Sequence, residues 1–245
     1  MNHRVALITG STSGIGEAIA RRFSSEGITV ALHSKQSVTQ GLALADELCN
    51  ASYTQADLSL NTEVKRLVSE VLDKHGQLDI LVNNAGISEV IAHSDLKAAT
   101  PEIWHQLYGV NVVAPWLLIS EAESALRASS GRGYPGCIIN ISSHAGVRAK
   151  GASIPYAVSK AALNHMTRLL SLTLAPDVRI NAIAPGLVDT PMTKAWVAAH
   201  DLWKNKAPMR RGAMPHEIAD VAYMLAQSSY LTGEVIVADG GLNQT

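Results

Sequence analysis

The chain has 245 residues, 47% of them hydrophobic, and a formal net charge of −1. We expect residues 1–245 to form a single well-buried domain, because α/β folds of this length commonly remain undivided. The near-neutral charge provides no basic stripe that would bind phosphates along a duplex, so a nucleic-acid partner is not expected.

The sequence shows no signal for export or for insertion into a membrane. Its first residues, MNHRVALITG, enter a predicted strand at once and leave no room for a secretory signal. No run approaches the roughly 18 apolar residues of a membrane span. Two cysteines, Cys49 and Cys137, cannot make a disulfide framework. We therefore expect a cytoplasmic protein that does not act at a membrane.

Short apolar runs rich in β-branched residues alternate with segments of helical period. The predicted strands are RVALI, ITVAL, SYTQA, LDILV, GCIINI, VRINAI and EVIVA, in chain order. The predicted helices cover 14–26, 38–49, 61–75, 101–130, 155–175, 190–206 and 215–227. Continuously apolar strands are typical of a parallel sheet covered on both faces. The sequence therefore predicts an α/β doubly wound Rossmann fold with about seven strands, and the more polar SYTQA near an edge.

A glycine-rich turn, LITGSTSGIG (residues 7–16), follows the first predicted strand. Gly10, Gly14 and Gly16 precede a helix whose free backbone N–H groups favour an anion such as a pyrophosphate. A tight turn without a ligand is the alternative, because the spacing departs from the G-x-G-x-x-G dinucleotide pattern.

Three further motifs lie at predicted carboxyl ends of strands. Asp57 ends the third strand, NNAG (83–86) the fourth, and APG (184–186) the sixth, with Thr190 just beyond. Each has a structural alternative, as a helix cap, a turn former or a strand terminator. Their common placement at one edge of a parallel sheet favours a bound dinucleotide.

With these motifs, the sequence resembles the classical short-chain dehydrogenase/reductase family. The motifs Thr9-Gly10-x-x-x-Gly14-Ile15-Gly16, Asn83-Asn84-Ala85-Gly86, Ser143, Tyr156-x-x-x-Lys160 and Pro185-Gly186 occur in the family's order and spacing. The resemblance extends from about residue 4 to the terminal YLTGEVIVADGG. It implies an NAD(P)-dependent oxidoreductase that acts on a carbonyl or secondary alcohol of a small molecule and assembles as a homotetramer.

Site residues are carried over from the resemblance position by position. The implied catalytic residues are Asn111, Ser143, Tyr156 and Lys160. The implied cofactor-binding residues are Gly10, Ser11, Ser13, Gly14, Ile15, Gly16, His33, Ser34, Lys35, Asp57, Leu58, Asn83, Ala85, Gly86, Tyr156, Lys160, Pro185, Gly186, Val188 and Thr190. No metal is expected, because the nine histidines form no H-x-x-x-H or other ligand cluster.

The second predicted strand indicates which coenzyme is bound. A free ribose 2′-hydroxyl is usually held by an acidic residue about 20 positions beyond the glycine turn, and no acidic residue lies between Glu26 and Asp46. The strand ends in ALHSKQS, which places Lys35 where it would neutralise a 2′-phosphate. NADP is therefore predicted. NAD is the alternative, because Ser13 stands where phosphate-preferring relatives often carry a basic residue.

Tyr156 and Lys160 stand four residues apart on one face of a predicted helix, and Ser143 precedes Tyr156 by the family's separation. The resemblance implies that Tyr156 is the general acid and base, assisted by Lys160, while Ser143 donates to the substrate oxygen. It also implies that Asn111 holds a water that links Lys160 to solvent. A buried structural role for Asn111, and Ser142 as the serine, are the alternatives.

The segment 187–207 corresponds to the family's substrate lid. Its Met192, Trp196 and Trp203 would cover an apolar substrate or, alternatively, belong to the core or an interface. Arg148 and Lys150 would meet an anionic substrate or remain solvated. His144 would point into the pocket or remain a loop histidine.

Three functions follow from these observations. The first is reduction of a small ketone, sugar or cyclic carbonyl. The second is a 3-oxoacyl-[acyl-carrier-protein] reductase, against which stands the apolar LTLAPDVRIN, where those enzymes commonly carry a basic docking residue. The third, of another class, is a non-catalytic NAD(P)-sensing protein, which should have lost one of Ser143, Tyr156 and Lys160.

Overall fold

A computed structural model describes residues 4–245. Seven parallel strands form one sheet, as the sequence predicted. They are Val5–Ile8 (β1), Thr29–Ser34 (β2), Ala51–Gln55 (β3), Ile80–Asn83 (β4), Gly136–Ile141 (β5), Val178–Pro185 (β6) and Val235–Ala238 (β7). Their order is β3-β2-β1-β4-β5-β6-β7. The strand SYTQA therefore lies at an edge, and the order reverses between β1 and β4, where doubly wound sheets bind ligands.

Eight α-helices connect the strands in the part of the chain that the structure describes. They are Gly14–Ser25 (α1), Val38–Glu47 (α2), Asn61–His75 (α3), Pro101–Tyr108 (α4), Ala114–Ser130 (α5), Ile154–Leu174 (α6), Val197–Lys206 (α7) and Pro215–Gln227 (α8). Alternate residues of β1 face opposite sides of the sheet. Ala6 and Ile8 pack with residues of α1 and α8, whereas Val5 and Leu7 pack with residues of α3 and α5.

Two predicted helices differ from those observed. The predicted helix 101–130 is interrupted by a π-helical turn at Gly109–Val113, which contains Asn111. The predicted helix 190–206 begins only at Val197, because the Thr193 hydroxyl accepts from Thr190 N–H and donates to the Val188 carbonyl, which fixes a turn instead.

Within residues 4–245, no helix combines the length and the apolar character needed to cross a bilayer.

Candidate active site

A cavity of about 1180 Å³ lies at the carboxyl ends of the strands. Its walls come from the glycine turn after β1, the ends of β2 and β4, and the segment after β5. The start of α6 and the segment from Pro185 to Trp203 complete it. The cavity is therefore continuous from the turn expected to hold pyrophosphate to Ser143 and Tyr156, as an extended dinucleotide and a small substrate require.

The glycine turn is shaped for close approach of a ligand. Gly10 and Gly14 have φ values of +63° and +56°, a conformation that residues with a Cβ rarely adopt. A Cβ on Gly16 would lie 2.2 Å from the Gly10 carbonyl oxygen, so this glycine packs α1 against the turn. Two of the glycines therefore line the cavity, and the third serves the packing behind it.

His33 holds the glycine turn from behind. Its Nδ1 accepts a hydrogen bond from Gly10 N–H at 3.1 Å, and its Nε2 lies 2.9 Å from the Ala56 carbonyl oxygen. Burial lowers the pKa of His33 to about 4, so the ring is neutral near pH 7. His33 lines the cavity, but both ring nitrogens bond to protein backbone, so a role of His33 in binding the coenzyme stays a prediction.

Lys35 and Asp57 form an ion pair at the mouth of the cavity, with Nζ 2.8 Å from Oδ2. The ammonium group and a hydrogen bond with Ser59 lower the pKa of Asp57 to about 2. Lys35 is more than half exposed, so it can turn from Asp57 to another anion at low cost. Ser34 Oγ lies 2.8 Å from the Tyr53 hydroxyl oxygen, so the two hydroxyl groups are hydrogen-bonded to each other.

The two asparagines of NNAG serve different purposes. Asn83 Nδ2 donates to Asn140 Oδ1 at 2.8 Å inside the sheet, so its side chain lies behind the cavity wall, contrary to expectation. Asn84 lines the cavity, and its Nδ2 donates to the carbonyl oxygens of Thr9 and Gly10. Asn84 belongs to the predicted motif NNAG but was not included among the predicted cofactor-binding residues.

The start of α6 positions the predicted acid and base. Ser153 Oγ accepts from Tyr156 N–H at 3.3 Å and caps the helix, and Pro155 stands in its first turn. Tyr156 and Lys160 therefore share one face, one turn apart. Desolvation raises the pKa of the Tyr156 phenol, and its hydrogen bond with Ser143 opposes that rise. The phenol of the free protein is thus protonated at neutral pH.

Lys160 is buried against the end of β5. Its Nζ donates to the Ile141 carbonyl oxygen at 2.9 Å, and burial lowers the pKa of the amine to about 8. A Cβ on Gly86 would lie 3.3 Å from this Nζ, which shows how closely the backbone of NNAG approaches it. Lys160 lies 5.9 Å from the centre of the Tyr156 ring.

Asn111 links the π-helical turn to the catalytic wall. Its Oδ1 accepts from Ile87 N–H at 2.9 Å, and its Nδ2 donates to the Ile87 carbonyl and to Ser159 Oγ. The side chain therefore fixes the backbone that follows NNAG. Asn111 itself does not line the cavity.

The structure brings most predicted site residues to the cavity wall. Four predicted residues are not part of that wall: Ser11, Gly16, Asn83 and Asn111. Met192, Trp196 and Trp203 line it, as does Lys150. Arg148 does not line it, because its guanidinium donates to the carbonyl oxygens of Leu242 and Thr245. Thr12 also lines the cavity and was missed, because its residue type carries no distinctive signal within a glycine turn.

Similarity to known proteins extends over nearly the whole chain. The family model described as "Enoyl-(Acyl carrier protein) reductase" matches residues 10–243. The chain is 43% identical over 242 residues to "Granaticin polyketide synthase putative ketoacyl reductase 2" of Streptomyces violaceoruber, covering 97% of this chain and 95% of the relative. It is 34% identical to "Dehydrogenase/reductase SDR family member 4" of Pongo abelii, covering 98% and 87%.

The chain belongs to the short-chain dehydrogenase/reductase family. Two solved structures agree with this. A Brucella melitensis 3-ketoacyl-(acyl-carrier-protein) reductase complexed with NADH has a TM-score of 0.89 and 30% identity, over 98% of both chains. A Pseudomonas aeruginosa RhlG/NADP active-site complex has a TM-score of 0.90 and 32% identity, over 98% of this chain and 96% of that one. This short-chain dehydrogenase/reductase is an NAD(P)-dependent oxidoreductase of alcohol and carbonyl groups.

Proposed function

We propose that this enzyme transfers a hydride between NADP(H) and the carbonyl or secondary alcohol of a small molecule. One observation carries the proposal: Ser143, Tyr156 and Lys160 line one cavity together with the glycine turn. Ser143 is close enough to Tyr156 to oppose the rise in the pKa of the phenol, and both hydroxyl groups belong to residues that line the cavity, where a carbonyl oxygen would accept from both. A non-catalytic sensor would have no use for this constellation.

The cofactor site fits a dinucleotide along its whole length. Gly10, Gly14 and the first turn of α1 would hold the pyrophosphate. Asp57 and Leu58 would contact the adenine, and Ala85 and Gly86 the ribose beyond it. Pro185, Val188 and Thr190 would lie against the nicotinamide half. A bound nicotinamide supplies or accepts the hydride.

Coenzyme choice rests on Lys35. No carboxylate ends β2 to hold a free 2′-hydroxyl, and Lys35 stands there with a flexible, exposed ammonium group. A 2′-phosphate would compete with Asp57 for Lys35, with the more highly charged anion favoured. The relatives complexed with NADH and with NADP show that the family accommodates either coenzyme.

Tyr156 would donate its phenolic proton to the substrate oxygen during reduction and take it back during oxidation. Its raised pKa keeps that proton in place in the free enzyme. Ser143 Oγ would donate a hydrogen bond to the same oxygen as negative charge develops there. Lys160, charged when protonated, would favour the phenolate that remains after the proton leaves.

The substrate end of the cavity is bounded by the segment 187–207, which we propose is the lid. Trp196, Trp203 and Met192 give this end an apolar cover. A small ketone, sugar or cyclic carbonyl would fit beneath it. A 3-oxoacyl thioester is the second candidate, favoured by the names of the Streptomyces and Brucella relatives.

The first experiment measures carbonyl-dependent oxidation of NADPH by the purified protein. The panel contains ketones, sugars, quinones and acyl thioesters, and the variant is Tyr156→Phe, which removes only the hydroxyl group. We expect the substitution to lower kcat at least about 100-fold, the usual contribution of a general acid. Tyr230→Phe, at an exposed tyrosine far from the reaction, is the matched control. Equal loss in both variants would contradict the role of Tyr156.

The coenzyme assignment is tested with Lys35→Met. We expect kcat/KM for NADPH to fall about tenfold or more, the effect of losing one charge-assisted hydrogen bond, while kcat/KM for NADH stays within about twofold. Lys97→Met, at an exposed loop lysine, is the control. A wild-type enzyme that prefers NADH would overturn the assignment.

A further inference from the structure

We propose that His144 is a second substrate-recognition residue, which selects a carbonyl substrate that bears a hydroxyl group close to the reacting carbon. The inference rests on the proposed function, because it concerns the substrate of the same site. His144 follows Ser143 directly, so its Cα lies about 3.8 Å from that of the residue proposed to hold the carbonyl oxygen. His144 is only 5% exposed and is one of the residues that line the cavity.

The His144 ring is fixed by residues of the lid and of the chain end. It packs edge-to-face on Trp203, with ring centres 5.8 Å apart. Trp203 in turn donates from Nε1 to the Asp239 carbonyl oxygen at 3.3 Å. The absence of a side chain on Gly186 permits this packing, since a Cβ there would lie 2.9 Å from both Trp203 and Asp239. The ring is thus held between Ser143 and the lid.

Asp239 determines which nitrogen of the His144 imidazole carries the proton. His144 Nε2 is buried without a hydrogen-bond partner and lies 3.4 Å from Asp239 Oδ2. The carboxylate is held by N–H groups of Gly241 and Asn243. A neighbouring carboxylate favours the tautomer with its proton on Nε2. The lone pair then resides on Nδ1, which makes no hydrogen bond with residues 4–245.

Burial is the main reason that the His144 ring is neutral near pH 7. Burial lowers the pKa of His144, and the nearby cations Arg148 and Lys150 act in the same direction, whereas Asp239 opposes them. A neutral imidazole with a free Nδ1 accepts a hydrogen bond but does not donate one there. It therefore recognises a hydroxyl group, whereas a carboxylate at that position would meet the lone pair and the charge of Asp239.

The test compares cyclohexanone with 2-hydroxycyclohexanone, a pair that differs in one hydroxyl group. With NADPH, we expect the wild type to favour the hydroxyketone at least about tenfold in kcat/KM, chiefly through KM. In His144→Phe, which keeps a ring against Trp203 but no acceptor, this ratio should fall to about one. His144→Asn, which retains an acceptor oxygen, should restore part of it. The control, His105→Phe on the exposed face of α4, should keep the wild-type ratio.

A second measurement does not depend on turnover. In protein labelled with ¹⁵N-histidine, 2-hydroxycyclohexanone should shift the Nδ1 resonance of His144, and cyclohexanone should not. A ratio that persists in His144→Phe, or an unmoved Nδ1 resonance, would overturn the inference. A wild type that reduces both ketones without preferring 2-hydroxycyclohexanone would contradict the inference about His144 and leave the proposed function intact. A wild type that reduces no carbonyl at all would contradict the proposed function itself.

Discussion

The buried amine of Lys160 makes the folding stability of the protein depend on pH. Its Nζ bonds to a backbone carbonyl and its pKa is lowered to about 8, whereas an unfolded chain returns it to about 10.4. Between these two values the unfolded chain binds more protons than the folded one. The contribution of Lys160 to the free energy of unfolding therefore rises as the pH rises through this window. Below pH 8 the destabilisation caused by burying the charged amine is fully present.

The substitution Lys160→Met tests whether Lys160 causes this rise of the unfolding free energy with pH. We expect the wild type to gain roughly 2 kcal/mol of unfolding free energy between about pH 7.5 and about pH 9.5, and the variant to lack this gain. Urea denaturation at the two pH values measures both. Lys97→Met, at an exposed loop position, should behave as the wild type. The same pH dependence in Lys160→Met and the wild type would show that the buried amine does not carry a lowered pKa.

The sequence predicted residue types at strand ends better than the directions of their side chains. Asn83 and Ser11 belong to motifs in the right places, yet their side chains bond within the sheet and to the backbone of His33. Which side a residue faces depends on where the strand ends, and a shift of one residue reverses it. The hydrogen bonds of His33 could not be predicted for a related reason, because its partners Gly10 and Ala56 are brought together only by the folded sheet.

At the scale of elements, the contact between the glycine turn and α1 is the tightest part of the proposed cofactor site. In Gly16→Ala, the new Cβ would lie 2.2 Å from the Gly10 carbonyl oxygen and 2.4 Å from Asn84 Nδ2. The backbone must then move, at a cost of about 1–3 kcal/mol. We expect lower stability and at least about tenfold weaker NADPH binding, measured by urea denaturation and by coenzyme fluorescence.

Gly131→Ala is the matched control for Gly16→Ala. Gly131 ends α5 with φ −65°, and a Cβ there would make only an ordinary contact, 3.5 Å from the Ala128 carbonyl oxygen. Its stability and NADPH binding should match those of the wild type. Unchanged NADPH affinity in Gly16→Ala would show that the turn does not hold the coenzyme.

Element types were predictable where the apolar period is long and regular, as in α3 and α8, whose predicted bounds match those observed. The turn at 190–195 was not predictable in this way, because a single hydroxyl group, that of Thr193, outweighs local helical preference there. The π-helical turn around Asn111 depends likewise on contacts with Ile87 and Ser159, which are distant in sequence.

At the scale of the molecule, two long helices expose large apolar side chains. Trp116 on α5 is 47% exposed, and Leu169 and Leu172 on α6 are 55% and 83% exposed. Contacts with further copies of the chain would cover this surface, in agreement with the homotetramer that the family resemblance implies. We expect light scattering to give four copies for the wild type and fewer for Trp116→Arg combined with Leu172→Arg. A monomeric wild type would contradict this prediction.

The overall architecture followed from the sequence because continuously apolar strands and helices alternate along the whole chain. The position of the cavity at the carboxyl ends of the strands was predictable as well, whereas the strand order, with its reversal between β1 and β4, was given by the structure. The substrate end of the cavity could not be predicted from the sequence. His144, Trp203 and Asp239 come from three separate segments that only the folded chain brings together.

Hydride transfer between NADPH and a carbonyl carbon can be followed directly with an isotopic label. NADPH with deuterium at its transferable C4 position is supplied with a ketone that the wild type reduces, and the product is analysed by mass spectrometry. We expect one deuterium on the carbinol carbon for each coenzyme oxidised, and almost no labelled product from Tyr156→Phe. Coenzyme oxidation without label on that carbon, or label placed only on a carbon of a reduced C=C bond when an enone is supplied, would contradict this expectation.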